Sequence, residues 1–180
     1  MAKFPRRSVL KTLAALPLGI LLPARLWARE QTFSSFIVNR KNEFAHAACQ
    51  AFAASPGRDE FNPLFLCGPA GVGKTHLVRA IEGQMREQDP LLNVRYVTAR
   101  RFPNDWQRYN GNCDLVIIED IQELGKEERV QEGFLQFLEG LLRTKTRVVV
   151  TSDRFPRRIE KLDARIASRL EWGLIADVNG

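Results

Sequence analysis

The chain has 180 residues, 44% of them hydrophobic, enough for one domain with a real core and too few for two. Its formal charge of +6 would ordinarily raise nucleic acid or an acidic membrane as a partner. Five of those charges (Lys3, Arg6, Arg7, Lys11, Arg25) fall within residues 1–28, which hold no acid, so the rest of the chain is close to neutral and its charge does not argue for DNA binding. The three cysteines, Cys49, Cys67 and Cys113, show no CxxC spacing and read as buried free thiols. The two histidines, His46 and His76, make no metal-ligand pattern.

Residues 1–28 read as a leader or extension. Thr12 to Ala24 is an uncharged run of signal-peptide length, shorter than the ~20 residues of a membrane-spanning helix. Arg6-Arg7-Ser8-Val9-Leu10-Lys11 resembles a twin-arginine export signal, with Leu26-Trp27-Ala28 as an imperfect cleavage site. An arm lying on acidic lipid, or a silent extension of a cytoplasmic domain, fits the same residues.

From residue 29 to 180 a single domain is expected, in which helices and strands alternate. Asn42 to Ser55 carries Phe44, Ala47, Ala48, Ala51 and Phe52 at helical spacing and is stopped by Pro56-Gly57. Pro63 to Gly68 is a buried strand. Lys74 to Arg86 is a helix with Leu77, Val78, Ile81 and Met85 on one face, and Asn93 to Thr98 is a second strand. Asp114 to Asp120 is a third strand, acidic at its carboxyl end. Glu128 to Arg143 is a helix with Val130, Phe134, Phe137, Leu138, Leu141 and Leu142 on one stripe. Arg147 to Asp153 and Trp172 to Val178 complete five strands. Strands apolar on both faces, alternating with helices, predict an α/β fold with a five-stranded parallel sheet covered on both sides.

Ligands of such sheets sit beyond the carboxyl ends of the strands. Gly68-Pro69-Ala70-Gly71-Val72-Gly73-Lys74-Thr75 ends the first strand and fits GxxxxGK[ST], a P-loop. Its glycines, Gly68, Gly71 and Gly73, let backbone N–H groups turn inward around phosphate, with Val72 between them. Lys74 reaches the outer phosphates, Thr75 offers a hydroxyl to Mg²⁺, and the next helix points its N-terminus at the anion. Glu119 and Asp120 end the third strand, where one acid can hold the magnesium water shell and the other orient an attacking water; a solvated acidic turn is the alternative. Thr151, Ser152 and Asp153 end the fourth, either sensing the terminal phosphate or forming an ordinary turn or helix cap.

Thr32 to Ala48, Asn62 to Leu77, Val94 to Thr98, Ile117 to Gln122, Thr151 to Arg154 and Arg165 to Val178 together resemble, in order, the AAA+ module of the bacterial replication initiator DnaA. The resemblance implies a P-loop NTPase of AAA+ type, with ATP and Mg²⁺ as ligands and a role in replication initiation or its regulation. It implies that Ile37, Val38 and Asn42 pack around adenine and that Asp153 is a sensor. Arg169 in SRLEWG matches the arginine finger that reaches ATP on a like subunit or a full-length initiator. Read without the family, Arg169 is a basic residue near a helix end, with Arg165 one turn before it on the same face.

Four departures from the family pattern stand out. Glu119 replaces the usual Asp, putting the magnesium shell and hydrolysis rate in question, and Asn39 replaces a glycine in the adenine segment. Ala99 to Asn112 is shorter than the family's element that contacts single-stranded DNA. Arg100, Arg101, Trp106, Arg108 and Tyr109 can still offer charge and stacking to such a strand, or form a solvated connection. The sequence ends at Gly180, ahead of the family's helical lid and helix-turn-helix, so recognition of duplex origin sequence is not expected of these residues. The expected function is an ATP-binding assembly module with weak hydrolysis; a non-hydrolysing adaptor that docks on an initiator, or a truncated remnant, are the alternatives. A cytoplasmic location is expected because ATP is found there.

Overall fold

A computed structural model describes residues 31–54, 61–102 and 113–179. The leader, Pro56-Gly57, Trp106, Arg108 and Tyr109 lie outside the described residues.

The strands form where branched and aromatic side chains run together: β1 (Leu64–Cys67), β2 (Val94–Thr98), β3 (Leu115–Glu119), β4 (Arg147–Ser152) and β5 (Leu174–Asp177). All pair in parallel, in the order β2-β3-β4-β1-β5. Because side chains alternate across a strand, each central strand feeds two cores. Leu64, Leu66, Leu115, Ile117 and Val149 pack against α1 (Glu43–Ala54) and α2 (Lys74–Gln88). Phe65, Cys67, Val116, Ile118, Val148 and Val150 pack on the other face against α3 (Glu128–Arg143) and α4 (Ala164–Glu171). Residues of the middle strands β1, β3 and β4 are almost all buried, whereas β2, at one edge, exposes Arg95.

Two helices bury a stripe other than the one expected. In α1 the buried residues are Ala45, Ala48, Cys49, Phe52 and Ala53; Ala47 and Ala51 face solvent and Phe44 is 61% exposed. Alanine stands on every face of this helix, so its periodicity does not pick one out; packing selects the face that carries Cys49 and Phe52. In α3 the buried line is Gln131, Phe134, Leu135, Leu138 and Leu141, with Val130, Phe137 and Leu142 only half-buried at its margins. Gln131 is buried because it is satisfied at both ends: its amide donates to the Lys161 carbonyl at 2.7 Å, and its oxygen accepts the Asp163 N–H at 2.6 Å. It therefore fixes the loop that leads into α4.

Cys49 and Cys67 are buried and Cys113 half-buried, all as free thiols. Burial pushes the Cys67 thiol up to about 11, so it stays protonated at neutral pH. Among the described residues no helix is long and apolar enough to cross a membrane.

The α1 assignment separates two phenylalanines that sequence periodicity treats alike. Phe52→Ala should cost roughly 3–5 kcal/mol, since Phe52 is 1% exposed and carries the Arg147 guanidinium 3.9 Å above its ring. Phe44→Ala should change stability by no more than about 0.5 kcal/mol. Urea unfolding of the two variants beside the parent chain checks both values.

Candidate nucleotide site

β1 ends at Cys67 and the chain turns over its carboxyl end into α2. Gly71 (φ 83°) and Gly73 (φ 103°) adopt left-handed conformations that side chains disfavour. A Cβ on Gly73 would also stand 2.6 Å from Cε2 of Phe36, so that residue must be glycine twice over. Buried Gly68 faces Val72, which packs into the core and shapes the loop from beneath.

α2 begins at Lys74 without a side-chain cap, leaving its first N–H groups directed at the loop. The Lys74 ammonium donates to the carbonyls of Gly68 at 2.6 Å and Pro69 at 2.8 Å. It is thereby held across the loop as a fixed positive charge.

A cavity of about 360 Å³ lies over this loop, lined among others by Gln31, Gly71, Gly73, Lys74, Thr75, His76, Glu119, Asp120 and Thr151. Residues from three strand ends thus meet within it. Asp120 takes a left-handed conformation (φ 55°), and its N–H donates to Thr151 Oγ at 3.1 Å, tying the end of β3 to β4. Gln122, which sequence reading gave no role, bridges the same ends: its amide donates to Asp120 Oδ1 at 3.2 Å and its oxygen accepts the Asp153 N–H at 3.3 Å.

Glu119 is half-buried. Desolvation raises its proton affinity above the ordinary carboxylate value, the Arg79 charge opposes that rise, and Asp120 adds to it. Arg79 is itself braced, 4.4 Å over the Tyr96 ring and 3.4 Å from Glu82, which also accepts the Tyr96 hydroxyl proton at 2.5 Å. Arg79 and Tyr96 were invisible as site residues because ring stacking between a helix and the next strand leaves no local pattern.

Asp153 stands outside the cavity lining, its carboxylate engaged by Arg154 at 2.7 Å through both oxygens. That pairing, with a smaller contribution from Lys74, holds its carboxyl below the usual range.

The expected adenine segment flanks the loop. Ile37 is 84% exposed and Val38 45%. Asn42 is buried, and works from beneath: its oxygen accepts the Asn39 N–H at 2.8 Å and its amide donates to the Ile37 carbonyl at 3.1 Å. Asn39, standing where a glycine was expected, caps the turn into α1 by accepting the N–H groups of Lys41 at 2.8 Å and Asn42 at 3.3 Å.

Arg169 is apart from all of these. It lies near the end of α4, just before β5 begins, and lines a separate cavity of about 420 Å³ with Asn62, Lys145 and Trp172 at the amino edge of the parallel sheet. Its guanidinium donates to Glu139 at 3.0 Å and sits 4.9 Å from the Trp172 ring. Arg165 pairs with Asp163 at 2.7 Å and Glu132 at 2.9 Å.

Among the described residues, no three His, Cys, Asp or Glu side chains gather as a metal site. Thr75 and Glu119 suit magnesium of the kind that takes few protein ligands and the rest from phosphate and water.

The sequence model of the bacterial DnaA ATPase domain matches residues 27–177. The chromosomal replication initiator protein DnaA of Bdellovibrio bacteriovorus is 40% identical over 162 residues, 83% of this chain and 34% of that protein. Domain III of the Thermotoga maritima replication initiation protein DnaA superposes with a TM-score of 0.76 at 32% identity, over 82% of this chain and 66% of that one. A replication initiator DnaA bound to AMPPCP and single-stranded DNA superposes with a TM-score of 0.73 at 26% identity, over 82% of this chain and 49% of that one. The chain spans about a third of the length of the curated relatives it matches. With the AAA+ sheet and P-loop in place and most of its length matched, the chain belongs to the bacterial DnaA ATPase-domain family.

Proposed function

We propose that this chain is an ATP-controlled assembly module acting in replication initiation or its regulation, in the cytoplasm. The observation that supports it best is the meeting of Lys74, Thr75, Glu119, Asp120 and Thr151 in one cavity over a glycine loop. A related initiator bound to AMPPCP supports the same ligand class. In this reading Lys74 and the α2 N-terminus hold the phosphates, Ile37 and Val38 cover the base, and Thr75 with Glu119 holds Mg²⁺, the latter through water. Asp120 orients the water that attacks, with Gln122 fixing its carboxylate.

Arg169 is on the opposite edge from its own P-loop, so it is suited to phosphate on another subunit, either a second copy or a full-length initiator. Arg100 and Arg101, exposed beyond β2, are the described part of the stretch that would touch single-stranded DNA.

Thermal unfolding of the chain with and without Mg-ATP tests the reading, because a ligand that binds only the folded state adds about 2.7 kcal/mol at a hundredfold excess over Kd. The melting temperature should rise, and the rise should vanish in Lys74→Ala, which removes charge-assisted bonds worth roughly 1.5–3 kcal/mol each. Arg169→Ala should keep the rise and lose ATP-dependent self-association in sedimentation. Equal loss of the rise in both variants would refute the division of roles.

Glu119 carries a pH signature. Its folded-state proton affinity lies above the ordinary value of 4.5, so the folded chain keeps that proton to higher pH than the unfolded chain does. Stability contributed by this group therefore falls as pH rises from the ordinary value through the raised one. Glu119→Gln should melt higher than the parent at pH 7 without nucleotide, with the gap closing below about pH 4. Its ATP turnover should drop.

A further inference from the structure

Thr32 to Phe36 is held between the two helices that flank the phosphate loop. Thr32 and Ser35 cap a 3-10 turn reciprocally: the Ser35 N–H donates to Thr32 Oγ at 3.3 Å and the Thr32 N–H to Ser35 Oγ at 3.0 Å. Two carbonyls of this segment point sideways. Phe33 O accepts from His46 Nε2 on α1 at 3.1 Å, and Thr32 O accepts from His76 Nε2 on α2 at 2.8 Å. A carbonyl can only accept, so both rings carry hydrogen on Nε2.

The same rings flank Phe36, His46 stacked at 5.7 Å and His76 edge-on at 5.2 Å, and Phe36 occupies the space beside Gly73. His76 directly follows Thr75 and lines the phosphate cavity. Ile37 and Val38 follow Phe36 and are exposed, so what fixes Phe36 also fixes where they emerge.

We propose that His46 and His76 are positioning residues for nucleobase recognition. Their Nε2–H bonds to Phe33 O and Thr32 O clamp the N-terminal segment to both helices and set Ile37 and Val38 at a fixed distance from the phosphate loop. Affinity for the base depends on the clamp, whereas affinity for the phosphates, which rests on Lys74 and the loop N–H groups, does not. This inference rests on the nucleotide-binding reading above.

The test compares Mg-ATP with magnesium tripolyphosphate, which has the phosphates and no base, by titration calorimetry on the full chain. The parent should bind ATP more tightly than tripolyphosphate. His46→Phe and His76→Phe keep a ring against Phe36 and lose the donor; each should lose about five- to tenfold in ATP affinity, as expected for one hydrogen bond. Tripolyphosphate affinity should stay within about twofold in His46→Phe, since His46 is not part of the phosphate cavity's lining; His76 is, so its control is the glutamine variant.

His46→Gln and His76→Gln keep a donor at similar reach and should hold ATP affinity within about twofold. His46→Asn and His76→Asn, whose side chains stop short of the carbonyls, replace the phenylalanine pair if that pair does not fold. Parallel loss for both ligands in His46→Phe, no loss of ATP affinity in either variant, or glutamine variants as weak as the phenylalanine ones would overturn the clamp. A parent chain that binds tripolyphosphate and ATP equally would overturn it too, while one that binds neither would overturn the nucleotide reading itself.

Discussion

The seat of Phe36 beside Gly73 is the contact on which the carboxyl edge of this domain depends. Gly73 starts α2 with a left-handed backbone, and the absence of a Cβ there admits a ring from the N-terminal segment. A loop meant to wrap phosphate must be thin enough for its N–H groups to face inward, and a thin loop lacks side chains to hold itself. Phe36 supplies the missing packing from outside. The aromatic ring is thus both the floor of the segment that follows and a wall of the loop.

Charge at the same edge is arranged at some cost to stability. Glu119 ends a fully buried strand, so its carboxylate emerges half-desolvated, with Asp120 next to it. Arg79 offsets part of that cost, and is held in place by Tyr96 and Glu82. A cation placed beside Glu119 would relieve the same penalty, so the protein's electrostatic strain and its suitability for a divalent ion have one origin. Sites that must receive charge are often less stable without it.

The sequence made some of this plain and hid the rest for physical reasons. The middle strands were legible because parallel strands buried on both faces leave uninterrupted apolar runs, as Leu64–Cys67 and residues 115–118 do. The phosphate loop was legible because glycine is needed where φ is positive. The buried face of α1 was not, since alanine fits both a core and a surface, and Phe44 and Phe52 looked equivalent until packing chose between them. Gln131 broke an apolar stripe, yet it is buried, because two backbone partners from a distant loop satisfy it. The histidine contacts with Thr32 and Phe33 span 44 and 13 residues and end on carbonyl oxygens, which every residue has, so no side-chain pattern could announce them.

Arg169 shows how a residue can be held and still be available. Glu139 and Trp172 orient its guanidinium, but each partner of the ion pair is about one-third exposed, and such pairs contribute only about 0–1 kcal/mol. Charge-assisted bonds to a phosphate contribute roughly 1.5–3 kcal/mol each, and a triphosphate offers several acceptors. In the proposed assembly the exchange from Glu139 to a neighbour's phosphate would therefore be downhill, and Trp172, 72% exposed, would remain to steady the guanidinium from one side. The phosphate loop lies at the carboxyl edge of the sheet and Arg169 at the amino edge, so in the proposed assembly each chain would carry half of two sites, a head-to-tail arrangement. Assembly built this way would need the nucleotide at each junction, so the phosphates held by the loop would also decide whether subunits associate.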